Sequence, residues 1–255
     1  MLNIKNNAVF IADAHENEYR KDFLKFLLLI EKKEIKTNQL ILMGDIFDIL
    51  IHNIKSSHNF AMPYIKILEN IASSGIEVIY LEGNHDFNIK KFFKNIKVFT
   101  IKDQPIILQN YNNLIFKKIC IKNDKLILLE NLIFQNIKNI KLAHGDIFLC
   151  PFVSFVLKIL RNNVLLSVLN FLNIICCNKL YLKILKKQKY KNLHYKIDNF
   201  DEIAKQRYIK YQSTNLVIEG HFHQGYIINS SNIKYINLPG FANNQIFFIV
   251  EFDKD

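Results

Sequence analysis

Five apolar runs in this 255-residue chain each end in a small polar cluster, and that pattern limits the fold more than any other feature of the sequence. Ala8-Val9-Phe10-Ile11-Ala12 runs into Asp13-Ala14-His15, and Gln39 to Met43 into Gly44-Asp45. Glu77 to Leu81 leads to Gly83-Asn84-His85-Asp86, Ile140 to Ala143 to His144-Gly145-Asp146, and Leu216 to Glu219 to Gly220-His221-Phe222-His223. Apolar runs this short read as buried strands. Helical spacing over 18–34 (Phe23, Phe26, Leu27, Ile30) and over 60–74, stopped by Gly75, separates the first three. Strands alternating with such helices predict βαβ units and a parallel sheet. Residues 98–143 are expected to form short strands and turns, 201–212 a helix, and 234–238 and 246–252 closing strands. Ligands of open α/β sheets bind beyond the carboxyl ends of the strands, so the five clusters are expected to share one crevice.

A lone Asp after a strand is usually a turn residue, and a lone His usually a satisfied core or surface imidazole. Five such clusters at five strand ends invite a different reading. Carboxylates, imidazoles and one Asn carbonyl, without thiolate, suit Mn²⁺ best and also accept Fe or Zn²⁺. The seven candidates are Asp13, His15, Asp45, Asn84, His144, His221 and His223, too many for one ion and suited to two. Two ions about 3.5–4 Å apart clamp both oxygens of an in-line phosphoryl displacement and lower the pKa of a shared water. Asp48, Asp86 and Asp146 are expected to orient ligands through hydrogen bonds.

The ordered series DxH, GDxxD, GNHD, HGD and GHxH resembles the calcineurin-like metallophosphoesterases, over residues 8 to about 250. The resemblance implies a layered αββα sandwich, an α/β fold, over 1–255 as one domain. It implies one ion on Asp13, His15, His223 and a shared oxygen of Asp45, and the other on Asp45, Asn84, His144 and His221. His85 would stabilise the transferring phosphoryl group or protonate the leaving oxygen, with Asp86 orienting it, as a carboxylate raises the basicity of a neighbouring imidazole.

Residues 147–197 contain no Asp or Glu and nine Lys or Arg. Asn162 to Asn178 is uncharged but short and Asn-rich for a membrane span, and Asn163, Ser167, Asn170 and Asn173 make a polar stripe at helical spacing. Packing alone predicts a helical pair laid on the sheet. The charge pattern favours a helical lid over 148–197 whose apolar face meets lipid and whose cations meet anionic head groups or phosphates. Lys158, Arg161, Lys179 and Lys183 are the candidate substrate-binding cations. An insertion between HGD and GHxH also resembles the lid of UDP-2,3-diacylglucosamine pyrophosphatases, which release UMP and 2,3-diacylglucosamine 1-phosphate (lipid X) in lipid A synthesis. The best-known form of those enzymes has Arg where this chain has His85, so the resemblance implies a divergent branch acting on a nucleotide-activated glycolipid. The alternative is a soluble phosphoesterase for phosphoproteins, nucleotides or other phosphoesters.

The net charge of +11 points to anionic partners. Arg occurs only at 20, 161 and 207, so the arginine-and-aromatic interleaving of a nucleic-acid groove is missing and no nucleic acid is expected. Cys120, Cys150, Cys176 and Cys177 form no CxxC pair, which predicts reduced thiols. The N-terminal residues lack a signal-peptide core. The expected location is the cytoplasm, peripheral on the inner face of the membrane.

Overall fold

A computed structural model describes residues 2–110, 112–212 and 215–253. Ala8–Ile11, Gln39–Leu42 and Glu77–Leu81 pair in parallel, as the βαβ reading predicts. The helices Asp22–Glu31 and His58–Ser73 make the crossovers. Each presents one apolar stripe, Phe23, Phe26, Leu27 and Ile30 on the first and Ala61, Tyr64, Ile65, Leu68 and Ile71 on the second. Both stripes cover the face of the sheet carrying Val9, Ile11, Leu40, Leu42, Val78 and Tyr80. Lys97–Phe99 extends the sheet in parallel, and Ile246–Phe252, Leu114–Lys122 and Lys125–Phe134 extend the other edge antiparallel, giving seven strands.

A second sheet packs on the first, as the layered sandwich requires. Ile106–Gln109, Asn139–Ala143, Leu216–Glu219, Lys234–Asn237 and Ile227–Asn229, with Leu2–Asn3, form a second, six-stranded sheet. Phe10, Ile41 and Ile79 from the first sheet meet Leu108, Ile140, Leu142, Ile218 and Ile236 from the second. Strands buried on both faces read as continuous apolar runs, which is why the motif strands lack alternation. The helix Phe200–Lys210 packs on the outer face of the second sheet, over Ala143, Val217 and Tyr235. The layers therefore run helix, sheet, sheet, helix, the αββα sandwich that the motifs imply.

Two segments differ from expectation. Leu114–Lys122 and Lys125–Phe134 are long strands of one hairpin, not short strands and turns. The hairpin closes at Asn123-Asp124, both with positive φ, a conformation that Asn and Asp tolerate and that matches strand twist. The acid-free insertion is three helices, Pro151–Leu160, Asn163–Ile175 and Lys179–Lys189, rather than a pair. Among the described residues, no single helix is long and apolar enough to cross a membrane; the first two pass that test only together and are bent by 60° at their break.

Candidate active site

The carboxyl ends of three strands of the first sheet and two of the second place the five polar clusters in one crevice. Within each sheet the neighbouring turns are tied through their backbones, and His221 N joins the two sheets by donating to Asp13 Oδ2 (2.9 Å). Asp13 N donates to Gly44 O (3.1 Å), His15 N to Asp45 O (3.0 Å) and Gly220 N to His144 O (2.8 Å). Asp13, His15, Asp45, His221 and His223 all have left-handed φ, between 45° and 65°. Such conformations cost about 1–3 kcal/mol each and persist only where the surroundings over-determine them. Gly83 allows the closest approach: a Cβ there would lie 2.2 Å from Asp45 Oδ1.

Two groups of inward-facing acceptors result. In the first, His15 Nε2 lies 3.4 Å from His223 Nε2, and His223 Nε2 lies 3.2 Å from Asp13 Oδ1. His15 Nδ1 faces Asp48 Oδ1 (3.1 Å) and His223 Nδ1 faces Leu193 O (3.4 Å), so each ring uses its Nδ1–H outward and turns an Nε2 lone pair inward. Asp13 Oδ1 is buried with no hydrogen-bond partner. In the second group, His144 donates Nδ1–H to Met43 O (2.8 Å), and its Nε2 faces Asp45 Oδ2 and Asn84 Oδ1, both at 3.4 Å. His221 joins Asp45 and His144 in a set whose ligand atoms lie within 4.8 Å of one another, as do Asp13, His15 and His223. Lone pairs converging in a buried space repel unless a cation lies between them. The residues present therefore fit divalent ions, with Asp45 between the two groups.

The electrostatics agree. Burial alone would raise the Asp13 and Asp45 carboxyls, but the facing imidazoles, His223 and His144 foremost, hold both below the usual carboxylate range. Burial works against a charge on His144 and His223 too, yet Asp45 and Asp13 push them up: without a cation between them these imidazoles hold the proton that answers the carboxylates, and a bound ion would replace it. Burial, then repulsion from His144, brings His221 down to about 4, which leaves its nitrogen free to ligate at neutral pH.

The expected roles of the neighbours change in three places. His85 reaches the crevice edge, T-shaped to His15 at a ring separation of 5.0 Å, but Asp86 does not orient it. Asp86 accepts from the backbone N–H of Asp45, Ile46, Phe47 and Gly83 and from Tyr80 O–H, and so shapes the turn that presents Asp45. The orienting group is the carbonyl of Asp48, 2.8 Å from His85 Nδ1. Arg161, expected at the substrate, donates to Asp146 Oδ2 (2.7 Å) and Gly83 O (2.9 Å) and ties the insertion to the crevice. Lys158 and Lys179 are exposed, and among the described residues neither bonds to a crevice group; Lys183 lines the cavity described below. Sequence reasoning missed Lys191, whose Nζ lies 3.3 Å from His85 Nε2. Only the acid-free composition of its segment pointed that way.

Beside the crevice lies a cavity of about 480 Å³ between the insertion and the body. Asn84 and Arg161 from the crevice are among its lining residues, and most of the others are apolar, Ile49, Phe87, Leu157, Leu166 and Ile184 among them. The polar stripe of Asn163–Ile175 is the seam on which this insertion rests. Asn163 Oδ1 accepts from Asn88, Asn170 Oδ1 from Lys55 N, and Asn173 Nδ2 donates to Ser56.

Four layers with carboxylates, an Asn and imidazoles gathered at strand ends define a metal-dependent hydrolase of phosphoesters. The family profile of calcineurin-like phosphoesterases matches residues 7–225, and the chain belongs to that family. UDP-2,3-diacylglucosamine hydrolase of Pseudomonas aeruginosa is 23% identical over 224 residues, spanning 86% of this chain and 82% of that protein. The hydrolase of the same name from Tolumonas auensis is 31% identical over 86 residues, 33% of this chain and 35% of that one. Vacuolar protein sorting 29 of Cryptosporidium parvum superposes with a TM-score of 0.37 at 12% identity, over 91% of this chain and 72% of that chain, too distant a likeness to bear on function. The family implies divalent metal ions.

Proposed function

We propose that this chain hydrolyses the pyrophosphate of UDP-2,3-diacylglucosamine, releasing UMP and 2,3-diacylglucosamine 1-phosphate. The observation that carries the reading is the largely apolar cavity that has Asn84, a candidate ligand of the metal centre, in its lining. A phosphoryl group at the crevice and an aliphatic chain in that cavity describe one amphiphilic substrate. Two divalent ions, most suitably Mn²⁺, would be held by Asp13, His15 and His223 on one side and Asn84, His144 and His221 on the other, with Asp45 shared. Bound there, they supply Lewis-acid polarisation and an activated water.

The protein's own groups do the rest. His85 keeps its Nδ1–H on the Asp48 carbonyl and offers Nε2 to the phosphoryl or leaving oxygen. Lys191 beside it adds a positive charge where the pyrophosphate would lie. The insertion acts as a lid over 148–197 of a single-domain protein. Its exposed Phe152, Phe155 and Phe171, set among lysines without an acid, suit the anionic face of a membrane.

The test is UMP release from UDP-2,3-diacylglucosamine by the purified, Mn²⁺-loaded protein. Turnover of that substrate well above that of bis(p-nitrophenyl) phosphate is expected. A protein that cleaves the simple diester and leaves the glycolipid intact is a soluble phosphoesterase of another specificity, and the proposal is then wrong.

A further inference from the structure

Arginine is scarce in this chain: three residues among 34 cationic side chains. All three donate to main-chain carbonyls of the turns that carry the candidate metal ligands. Arg20 Nη1 reaches His15 O at 2.6 Å. Arg161 Nη2 reaches Gly83 O, next to Asn84, at 2.9 Å. Arg207 Nη2 reaches Gly145 O (2.8 Å) and Ile147 O (3.0 Å), just after His144. Among the described residues, no lysine donates to a carbonyl of these turns.

The guanidinium explains the selection. Its planar fork offers five donors in fixed directions, so one side chain can hold a carboxylate and a carbonyl together; an ammonium is a point charge on a flexible stem. Arg161 joins Asp146 to Gly83 in this way. Arg207 grips Glu219 through Nε and Nη2 while holding Gly145 and Ile147, and it lies 4.8 Å over the Phe222 ring, between His221 and His223. Glu219 is itself fixed by Tyr211 and Tyr235. Arg207 thus locks the His144 turn to the His221 turn. Arg20 acts on the other side, where His15 O also accepts from Asn17, which in turn donates to Asp48. His15, with φ 45°, sits in a left-handed backbone conformation that needs such support.

We propose that the three arginines are positioning residues for ion binding, each dedicated to one side of the centre. Arg20 supports the ion on Asp13, His15 and His223. Arg161 and Arg207 support the ion on Asp45, Asn84, His144 and His221. This rests on the metal-centre reading of the crevice and reaches beyond it, because it assigns residues that are not themselves ligands of either ion.

The test is calorimetric Mn²⁺ titration of the full chain in two reference backgrounds. His144→Ala leaves the ion of the first side, and His223→Ala leaves the ion of the second. Arg20→Lys is expected to weaken the first ion about 10-fold and leave the second unchanged, and Arg207→Lys the reverse. Urea midpoints of the metal-free proteins, measured alongside, report general stability. Equal weakening of both ions in step with a lowered midpoint, or no change in either, overturns the proposal. If Arg207→Lys does not fold, the Arg20→Lys arm decides. A wild-type protein that binds no Mn²⁺ refutes the metal-centre reading itself, a result distinct from wild-type binding that the arginine variants leave intact.

Discussion

The Asp48 carboxylate faces His15 Nδ1 at 3.1 Å, while the carbonyl of the same residue faces His85 Nδ1 at 2.8 Å. One residue therefore sets the ring of a candidate ligand through its side chain and the ring of the candidate acid through its backbone. Replacing the carboxylate should separate these roles. Asp48→Ala removes the partner of His15 and keeps the carbonyl that holds His85. Mn²⁺ affinity on the His15 side should fall about 10- to 100-fold, as is usual when a partner of a ligand is lost. Calorimetric titration measures it, and unchanged affinity would show that His15 needs no such support.

His85→Ala should lower kcat about 10²- to 10⁴-fold if the ring acts as general acid. Metal content should stay at the wild-type level, because His85 lies outside the proposed ligand set. A substrate with a p-nitrophenolate leaving group needs little protonation, so its loss should be smaller. Comparing the two substrates checks the assignment; equal losses would point to phosphoryl stabilisation instead.

Glu16 is buried under the first crossover helix, accepting from Phe23 N, Leu24 N and Tyr64 O–H. Burial pushes its carboxyl from 4.5 up to about 7. The folded state therefore binds this proton more tightly than the unfolded chain. That stabilisation is complete below about pH 4.5 and is lost as pH rises through 7, about 3 kcal/mol in all. Urea midpoints at pH 5.5 and 8.5 should fall toward the higher pH in the wild type, and this part of the slope should vanish in Glu16→Gln.

Leu169→Trp fills space in the apolar cavity without touching the crevice. The KM for UDP-2,3-diacylglucosamine should rise several-fold, about 1 kcal/mol of lost apolar contact. Hydrolysis of bis(p-nitrophenyl) phosphate should be unaffected. Equal effects on both substrates would place the acyl chains elsewhere.

Residue order revealed the strands, the layer scheme and the crevice members, because each motif is local: an apolar run, a turn, a polar side chain. Contacts between distant segments were harder to read. Asp86 follows His85 in sequence, yet it opens the strand Asp86–Phe87, where successive side chains point to opposite sides, and its partners are backbone groups at 45–47. The stripe of Asn163, Asn170 and Asn173 was visible as a stripe, but its partners Asn88, Lys55 and Ser56 lie 75 to 117 positions away. Arg161 read as a free cation because composition does not reveal Asp146 beside it. Apolar periodicity alone could not tell one sheet from two, since a strand buried on both faces looks the same against helices or against a second sheet; the ordered motif series supplied the layer scheme.

The central claim is a two-ion centre with Asp45 shared, and Mn²⁺ stoichiometry after reconstitution and dialysis tests it most directly. The wild-type chain should retain two ions and Asp45→Ala should lose both, with phosphodiester hydrolysis abolished. A wild-type chain that retains no ion, or an Asp45→Ala chain that keeps two and stays active, would contradict the account.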